Sequence, residues 1–240
     1  MLNLAFTPPK AELVMKLCDG AVAQTRRRIE WEPLEEGLNL SATSLTAAPY
    51  ITDEPDKGWC LYSRDGRGTW NTRTRMQKPR YPVGAVCYVG CPHWRGVGTL
   101  GRVNIYDEYT TLIRCEQAAL SVECRQSRET LIENGWCHMA GRYMSAWAAT
   151  KWALITRVWV ERLQAISEAD AKAELVEWQD GGWRDYNQLT RTASFGCATA
   201  RDSYRTLVNA VNHRDIWSEN PFCFCYEFRI CPKPEEKARD

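Results

Sequence analysis

Two long segments with the pattern of β-strands constrain the fold of this chain more than any other feature. From Phe222 to Ile230, aromatic and aliphatic side chains alternate with cysteine, glutamate and arginine. This period of two is typical of a strand, whose successive side chains point to opposite faces of a sheet. From Lys151 to Leu163, apolar residues fall on both sides, which predicts a strand covered on both faces. The predicted fold is therefore centred on a sheet.

Helix start and stop signals predict three helices around this sheet. Thr7 is suited to cap a helix over Lys10–Asp19, and Gly20 is suited to end it in the left-handed conformation. Ser167 opens a second helix as a variant of the capping box. Thr199 caps a third helix, in which apolar residues recur at helical spacing. Helices and strands mixed in this order predict an α+β fold.

The remaining segments are predicted as loops with a few short elements. Residues 32–80 have little periodicity and many turn-forming residues, which indicates long loops with a hairpin around Trp59–Tyr62 and Trp70–Arg73. Two strands over 85–89 and 102–106 and a helix over 116–133 complete the predicted elements. We predict a single domain over residues 1–231, with insertions around 32–80, 94–140 and 179–198, and a disordered charged tail over 232–240.

Cysteine usage and hydropathy indicate the cellular compartment. The N-terminal segment lacks a charged region followed by an apolar one, and no apolar run reaches about 18 residues, so we expect a cytoplasmic protein without a membrane partner. Eleven cysteines, an odd number, are then expected to be reduced thiols. Because the chain has three histidines and no CxxC pair, we expect no metal and no other cofactor.

Basic residues concentrate in one segment although the formal net charge is only +1. Seven basic residues and one acid, Asp65, lie between Lys57 and Arg80, interleaved with Trp70 and followed by Tyr81. This segment can form a basic face for phosphates, with aromatic rings for base stacking, or a solvated loop. The eleven tryptophans are likewise open to two interpretations, a core role or ligand stacking.

Four segments resemble the phage-borne branch of the ASCH family, within the PUA-like superfamily. They are AVAQTRRR (21–28), YPVGAVCYV (81–89), MSAWAATKWALITRVWVERLQAISEADA (144–171) and WSENPFCFCYEFRI (217–230). The resemblance implies a small, partly open β-barrel with flanking helices and a cleft for a nucleotide or a nucleic-acid strand. It also implies a phage origin and, in some members, an amidohydrolase that deacylates a modified cytidine with a lysine, a threonine and a glutamate.

The chain departs from the family pattern at its polar positions. Alignment on Gly20, Thr25 and Arg26 puts Val22 at the lysine position, and alignment on Tyr88 and Val89 puts Cys91 at the glutamate position. Valine neither donates nor accepts a proton, so we expect a retained fold without hydrolysis.

Cysteine chemistry leaves one catalytic alternative. Cys91 and His93 are two residues apart, a spacing that puts both on one side of an extended chain. They form either a catalytic dyad or, for Cys91, an inert buried thiol.

The sequence therefore predicts a non-catalytic protein that binds nucleic acid or a modified nucleotide. The candidate ligand-contacting residues are Thr25, Arg26, Arg64, Arg67, Trp70, Arg73, Arg75, Tyr81, Trp147 and Lys151. One alternative is a phage-encoded inhibitor that binds a host-defence protein complex through loops 32–80 and 179–198. The other is a surviving amidohydrolase with catalytic groups relocated to Cys91 or Lys151. The identity of the ligand and the oligomeric state stay open.

Overall fold

A computed structural model describes residues 1–42, 44–49, 58–65, 67–97, 103–107, 112–115, 118–123, 127–187 and 194–234. Its strands are β1 (Leu2–Ala5), β2 (Val22–Arg28), β3 (Thr46–Pro49), β4 (Trp59–Arg64), β5 (Trp70–Thr72), β6 (Val86–Gly90), β7 (His93–Val97), β8 (Val103–Asp107), β9 (Leu112–Cys115), β10 (Ala118–Glu123), β11 (Cys137–Met139), β12 (Trp152–Arg162), β13 (Trp178–Gln179), β14 (Gly182–Asp185), β15 (Ser194–Cys197) and β16 (Phe222–Cys231). Its helices are α1 (Lys10–Met15), α2 (Arg128–Glu133), α3 (Glu168–Ala173), α4 (Ala200–Asn212) and α5 (Ile216–Glu219).

The chain divides into two compact units that interleave along the sequence. The first unit comprises residues 1–21, 85–154 and 229–240, and the second comprises 22–84 and 155–228. The strands β12 and β16 each contribute residues to both units. The single domain predicted from the sequence stays a prediction.

Short strands dominate the first unit. The strand β1 pairs in parallel with β6, and the first residues of β12 pair with β6 in the antiparallel sense. A second sheet has the antiparallel order β10-β9-β8-β7-β11. Beside it, Trp94 and Leu131 form a small buried cluster with the partly buried Trp136.

Two helix predictions in the first unit need correction. The predicted helix over residues 116–133 was wrong: among the described residues of this range, 118–123 form β10 and only α2 is helical. The reason is local: the Ser127 hydroxyl accepts from the Thr130 N–H and starts a new helix inside the segment. The first helix, α1, ends at Met15 instead of Asp19, and no side chain caps its start at Pro9.

In the second unit, two helices cover one face of the sheet formed by β12, β16 and β2. Both caps predicted for these helices are confirmed: Ser167 accepts from the Asp170 N–H, and Thr199 accepts from the Asp202 N–H. The apolar residues of α3 and α4 bury Cys223 and Cys225 of β16. The opposite face of this sheet borders the cleft described below.

A three-stranded antiparallel sheet, β3-β4-β5, also belongs to the second unit. Its β4–β5 pair confirms the predicted hairpin, with Arg64 opposite Trp70 and Tyr62 opposite Thr72. Another sheet, β13-β14-β15, lies where a polar loop was expected over 179–198. In this sheet, close approach of the β15 backbone leaves no room for a side chain at Gly182.

The fold is therefore α+β, as predicted, and the strands of the described ranges form four open sheets without a closed barrel. Within the same ranges, no helix has the length and hydropathy needed to cross a bilayer. The end of the predicted disordered tail, residues 235–240, lies outside the described residues.

Candidate ligand-binding cleft

An open cleft of about 370 Å³ lies in the second unit, at the end of β12. This volume falls within the range of small-molecule sites, roughly 300–1,000 Å³. Alternation along the strand points Val160 and Arg162 into the cleft and turns Glu161 to the opposite face. The lining residues are Ser41, Leu45, Thr46, Ala47, Val160, Arg162, Asn220 and Phe222.

Arg162 supplies the positive charge of this cleft. Its guanidinium lies 3.9 Å from the centre of the Phe222 ring. It donates to the carbonyl oxygens of Ala42 at 2.7 Å, Asn220 at 3.1 Å and Leu40 at 3.4 Å. These acceptors are neutral, and Arg162 makes no ion pair with any carboxylate in the described ranges. Burial lowers the pKa of Arg162, although an arginine stays charged at neutral pH.

Asn220 closes the cleft with an unusual backbone. Its φ of 43° lies in the left-handed region, which asparagine tolerates better than most residues. The Asn220 side-chain oxygen accepts from the Gln164 N–H at 2.9 Å, and its backbone oxygen accepts from Arg162. These bonds hold the segment before β16 against the end of β12.

A smaller cavity of about 160 Å³ adjoins the cleft and shares Ser41 and Phe222 with it. The charged residues of this smaller cavity compensate one another, since Arg28 pairs with Glu219 at 2.8 Å and with Glu30 at 3.1 Å. Trp31 also lines this cavity, with its ring edge-on to Phe222. The Trp31 indole N–H is buried and has no acceptor among the described residues.

An exposed pair of side chains lies on the neighbouring sheet. Trp70 is 48% exposed, and the Arg64 guanidinium stacks over its ring at 4.8 Å. Thr46 of the cleft lies opposite Tyr62, which lies two residues before Arg64 on the same strand. Thr46, Arg64 and Trp70 therefore point to the same face of the sheet. Two strand spacings, about 10 Å, separate the cleft edge from β5.

Arg26 and Thr25, both predicted to contact ligand, are buried in the second unit. The Arg26 guanidinium lies 2.6 Å from Glu161, 3.0 Å from Glu174 and 3.9 Å from Asp170. Burial works against its charge, but the surrounding acidic groups, Cys225 and Glu174 foremost, offset this and raise the pKa of Arg26. The ligand-contacting role of both residues stays a prediction that these surroundings do not favour.

The other predicted residues of the basic segment differ in their accessibility. Arg73 pairs with Glu35 at 2.9 Å and Arg75 with Glu32 at 3.6 Å, so acids compensate both charges. Arg67 is exposed in the turn of the hairpin. Tyr81 is buried edge-on to Tyr226, with 5.2 Å between ring centres, and offers no free face for stacking. Of these predicted residues, Arg64, Arg67 and Trp70 are therefore the ones exposed near the hairpin turn.

The first unit contains three further predicted residues. Cys91 is 1% exposed, and a ring nitrogen of His93 lies 3.1 Å from the Cys91 backbone oxygen. Lys151 donates through Nζ to the Leu17 backbone oxygen, and Trp147 is half-buried. Val22, 55% exposed, belongs to the second unit, so the two residues that the predicted alignment puts at the lysine and glutamate positions lie in different units. A thiol–imidazole dyad stays a prediction, because the observed bond involves the backbone.

Comparison with known proteins identifies no relative: no protein-family model matches the chain, and neither a curated protein nor a solved structure matches it significantly. The site must therefore be interpreted from its own residues.

The sequence interpretation missed the cleft residues Arg162 and Asn220. The available signals were the strand end at Val160-Glu161-Arg162 and the chain break at Asn220-Pro221.

Proposed function

We propose that this protein is a non-catalytic binding protein for nucleic acid or a modified nucleotide. The exposed Arg64–Trp70 stack carries the proposal, because it lies on the sheet face whose edge residue Thr46 lines the Arg162 cleft. We further propose that the chain is a divergent, phage-encoded relative of the ASCH family with a PUA-like fold, acting in the cytoplasm. The four segments quoted above support that kinship.

The Arg64–Trp70 pair has the chemistry of a stacking platform. Every nucleobase has a π-face, and stacking on an aromatic side chain contributes roughly 1–3 kcal/mol per base. The Arg64 guanidinium covers one face of the indole and adds a positive charge beside it. Trp70 is 48% exposed, so part of its indole surface is accessible to a ligand.

The cleft adds a second contact for the same ligand. Arg162 provides a fixed charge that no carboxylate of the described ranges neutralises, and Arg64 and Arg67 are exposed near the stack. Because about 10 Å separates β3 from β5, a short single strand can contact the stack and the cleft together. This arrangement binds through charge and stacking, so its affinity should fall steeply with salt.

The residues available for hydrolysis do not favour a catalytic role. Val22 provides no proton-transferring group at the family lysine position. Glu161 and Glu174, which lie beside the AVAQTRRR segment (21–28), are both paired with the buried Arg26. Binding without turnover is the function that these side chains support best.

Fluorescence anisotropy with short labelled single-stranded RNA and DNA tests the proposal. We expect binding at low ionic strength that weakens as salt is added. Trp70→Ala should weaken it about tenfold or more, which corresponds to the loss of one stacked base.

Trp178→Ala is the matched control, because Trp178 is similarly exposed in the second unit but lies on another sheet. Absence of binding to both nucleic acids at low salt would contradict the proposal. If Trp70→Ala and Trp178→Ala lost equal affinity, binding would not depend specifically on the Arg64–Trp70 stack.

A further inference from the structure

We infer that the Arg162 cleft is a binding site for a phosphate group. The nucleotide nature of the ligand rests on the proposed function, whereas the preference for an oxyanion follows from the cleft itself. The structure assigns the anion-binding role to Arg162, with Asn220, Ser41 and Thr46 as neutral donors.

Some N–H donors of the Arg162 guanidinium remain available for an anion. A guanidinium carries five N–H donors, and the described contacts of Arg162 use three of them, all for backbone carbonyls. The two remaining donors have no acceptor within the described ranges. Planar N–H pairs match phosphate oxygens in geometry and charge, which is why arginine is frequent at phosphate sites.

The lining of the cleft also favours an anion. Ser41, Thr46 and Asn220 offer hydroxyl or amide donors, and no carboxylate is among the lining residues. Glu161 is adjacent to Arg162 in sequence, but it points to the other face and pairs with Arg26. The charge of Arg162 therefore acts on the cleft without a competing carboxylate.

The cation is held in place before any ligand binds. The Phe222 ring lies under the guanidinium, and the carbonyls of Leu40, Ala42 and Asn220 fix its orientation. A side chain that is already ordered loses little conformational entropy on binding. Arg73 and Arg75, by contrast, already have carboxylate partners.

The dimensions leave room for the group that carries the phosphate. The cleft, at about 370 Å³, is much larger than a single oxyanion needs. The adjoining cavity, at about 160 Å³, is close to the roughly 150 Å³ of an engineered cavity that binds benzene. A phosphate at Arg162 could thus be attached to one ring in the smaller cavity or to a strand that runs toward Trp70.

The test compares Asn220→Asp with Asn187→Asp. Aspartate at position 220 keeps an oxygen acceptor for the Gln164 N–H and tolerates the left-handed backbone, but it adds a negative charge to the cleft. Asn187 is exposed in the second unit and does not line the cleft, so its substitution adds the same charge elsewhere. Isothermal titration with inorganic phosphate, at an ionic strength held constant with chloride, gives the readout.

We expect the wild type and Asn187→Asp to bind phosphate and Asn220→Asp to lose at least tenfold in affinity. Arg162→Lys should also bind less tightly, because lysine keeps the charge but lacks the planar pair of donors. If Asn220→Asp does not fold, Thr46→Val replaces it. That change removes one exposed hydroxyl, and a loss of about threefold is expected for one hydrogen bond.

Labelled strands with a terminal phosphate, strands without one and the free ion identify the source of the phosphate. Preference for the phosphorylated strand indicates a terminal group, and equal binding of both strands, weakened by Asn220→Asp, indicates the internal backbone. If strands bind through Trp70 but Asn220→Asp changes neither strand nor phosphate affinity, this inference is overturned and the proposed function stands. If phosphate binds as expected and no strand does, the phosphate site stands and the proposed function fails.

Discussion

The two faces at the end of β12 use arginine in opposite ways. On one face, Glu161 joins Glu174 and Asp170 around the buried Arg26. On the other face, Arg162 contacts an aromatic ring and backbone carbonyls, with no carboxylate partner in the part of the chain that is described. The first arginine completes a core, whereas the second leaves part of its charge for a ligand.

This difference shows why residue type alone does not identify a binding residue. Taking a guanidinium out of water is costly unless anions and hydrogen bonds replace the solvent. Arg26 meets that condition through residues far away in sequence, and so little of its charge is available to a ligand. Arg162 is only partly buried, so its charge can persist with neutral acceptors.

The largest expected effect concerns Arg26. Arg26→Ala leaves Glu161 and Glu174 without their cation in a buried setting, so the free energy of unfolding should fall by about 3–5 kcal/mol. Urea unfolding followed by circular dichroism measures the change. Arg28→Ala, which removes partly exposed ion pairs, is the control and should cost less than about 1 kcal/mol. Equal costs would abolish the distinction between a buried cluster and surface pairs.

A pH titration should show a smaller effect of the same cluster. Burial alone would raise the pKa of Asp170, but hydrogen bonds from Ser167 and Gln24 and the charge of Arg26 lower it below its ordinary value. A lowered folded-state pKa stabilises the protein above the unfolded value, about 3.9, and this contribution is lost as the pH falls through the folded-state pKa.

Asp170→Asn should therefore reduce the acid dependence of thermal stability below about pH 4. The melting temperature of the wild type and the variant, followed from neutral to acidic pH, measures it. Asp180→Asn is a suitable control, since Asp180 lies at an exposed turn of the second unit. If both variants followed the wild-type dependence of melting temperature on pH, the ionised Asp170 would not contribute to acid stability as expected.

The smallest effect is expected at the cavity beside the cleft. Trp31→Phe removes an indole N–H that has no acceptor in the described ranges, so no hydrogen bond is lost. The smaller ring leaves part of a buried site unfilled, so the free energy of unfolding should fall by about 1 kcal/mol in chemical denaturation. Trp59→Phe is the matched variant, because that buried N–H also lacks an acceptor there and Trp59 does not line the cavity. A large loss only in Trp31→Phe would reveal a partner for its N–H.

Elements with a strong local pattern were predicted from the chain alone. The strands β12 and β16 follow from alternating or continuous apolar residues, and the caps at Ser167 and Thr199 follow from side-chain chemistry within three residues. The hairpin at Trp70 was also found, because its turn residues lie between two extended segments. The helix over 116–133 failed because the capping signal at Ser127 was overlooked.

The site was only partly predictable. Trp70 and Arg64 were identified from composition, because an aromatic ring among basic residues is a local signal. The cleft combines Ser41 and residues 45–47 with the end of β12, more than a hundred residues further along the chain, and with Asn220, 58 residues beyond Arg162. No local sequence pattern indicates that segments so distant along the chain line one cleft, so Arg162 and Asn220 were missed.

Local chemistry along the chain thus specified β12, β16, the caps at Ser167 and Thr199 and the basic hairpin, since each depends on neighbours within a few residues. Whether each arginine is neutralised by carboxylates or remains available to a ligand was decided by the tertiary structure. The energy of a buried charge depends on which distant carboxylates, carbonyls and rings surround it. The Arg26 side chain is neutralised by Glu161 and Glu174, which lie 135 and 148 residues away along the chain. Because Glu161 points to the Arg26 face of β12, the next residue, Arg162, faces the cleft.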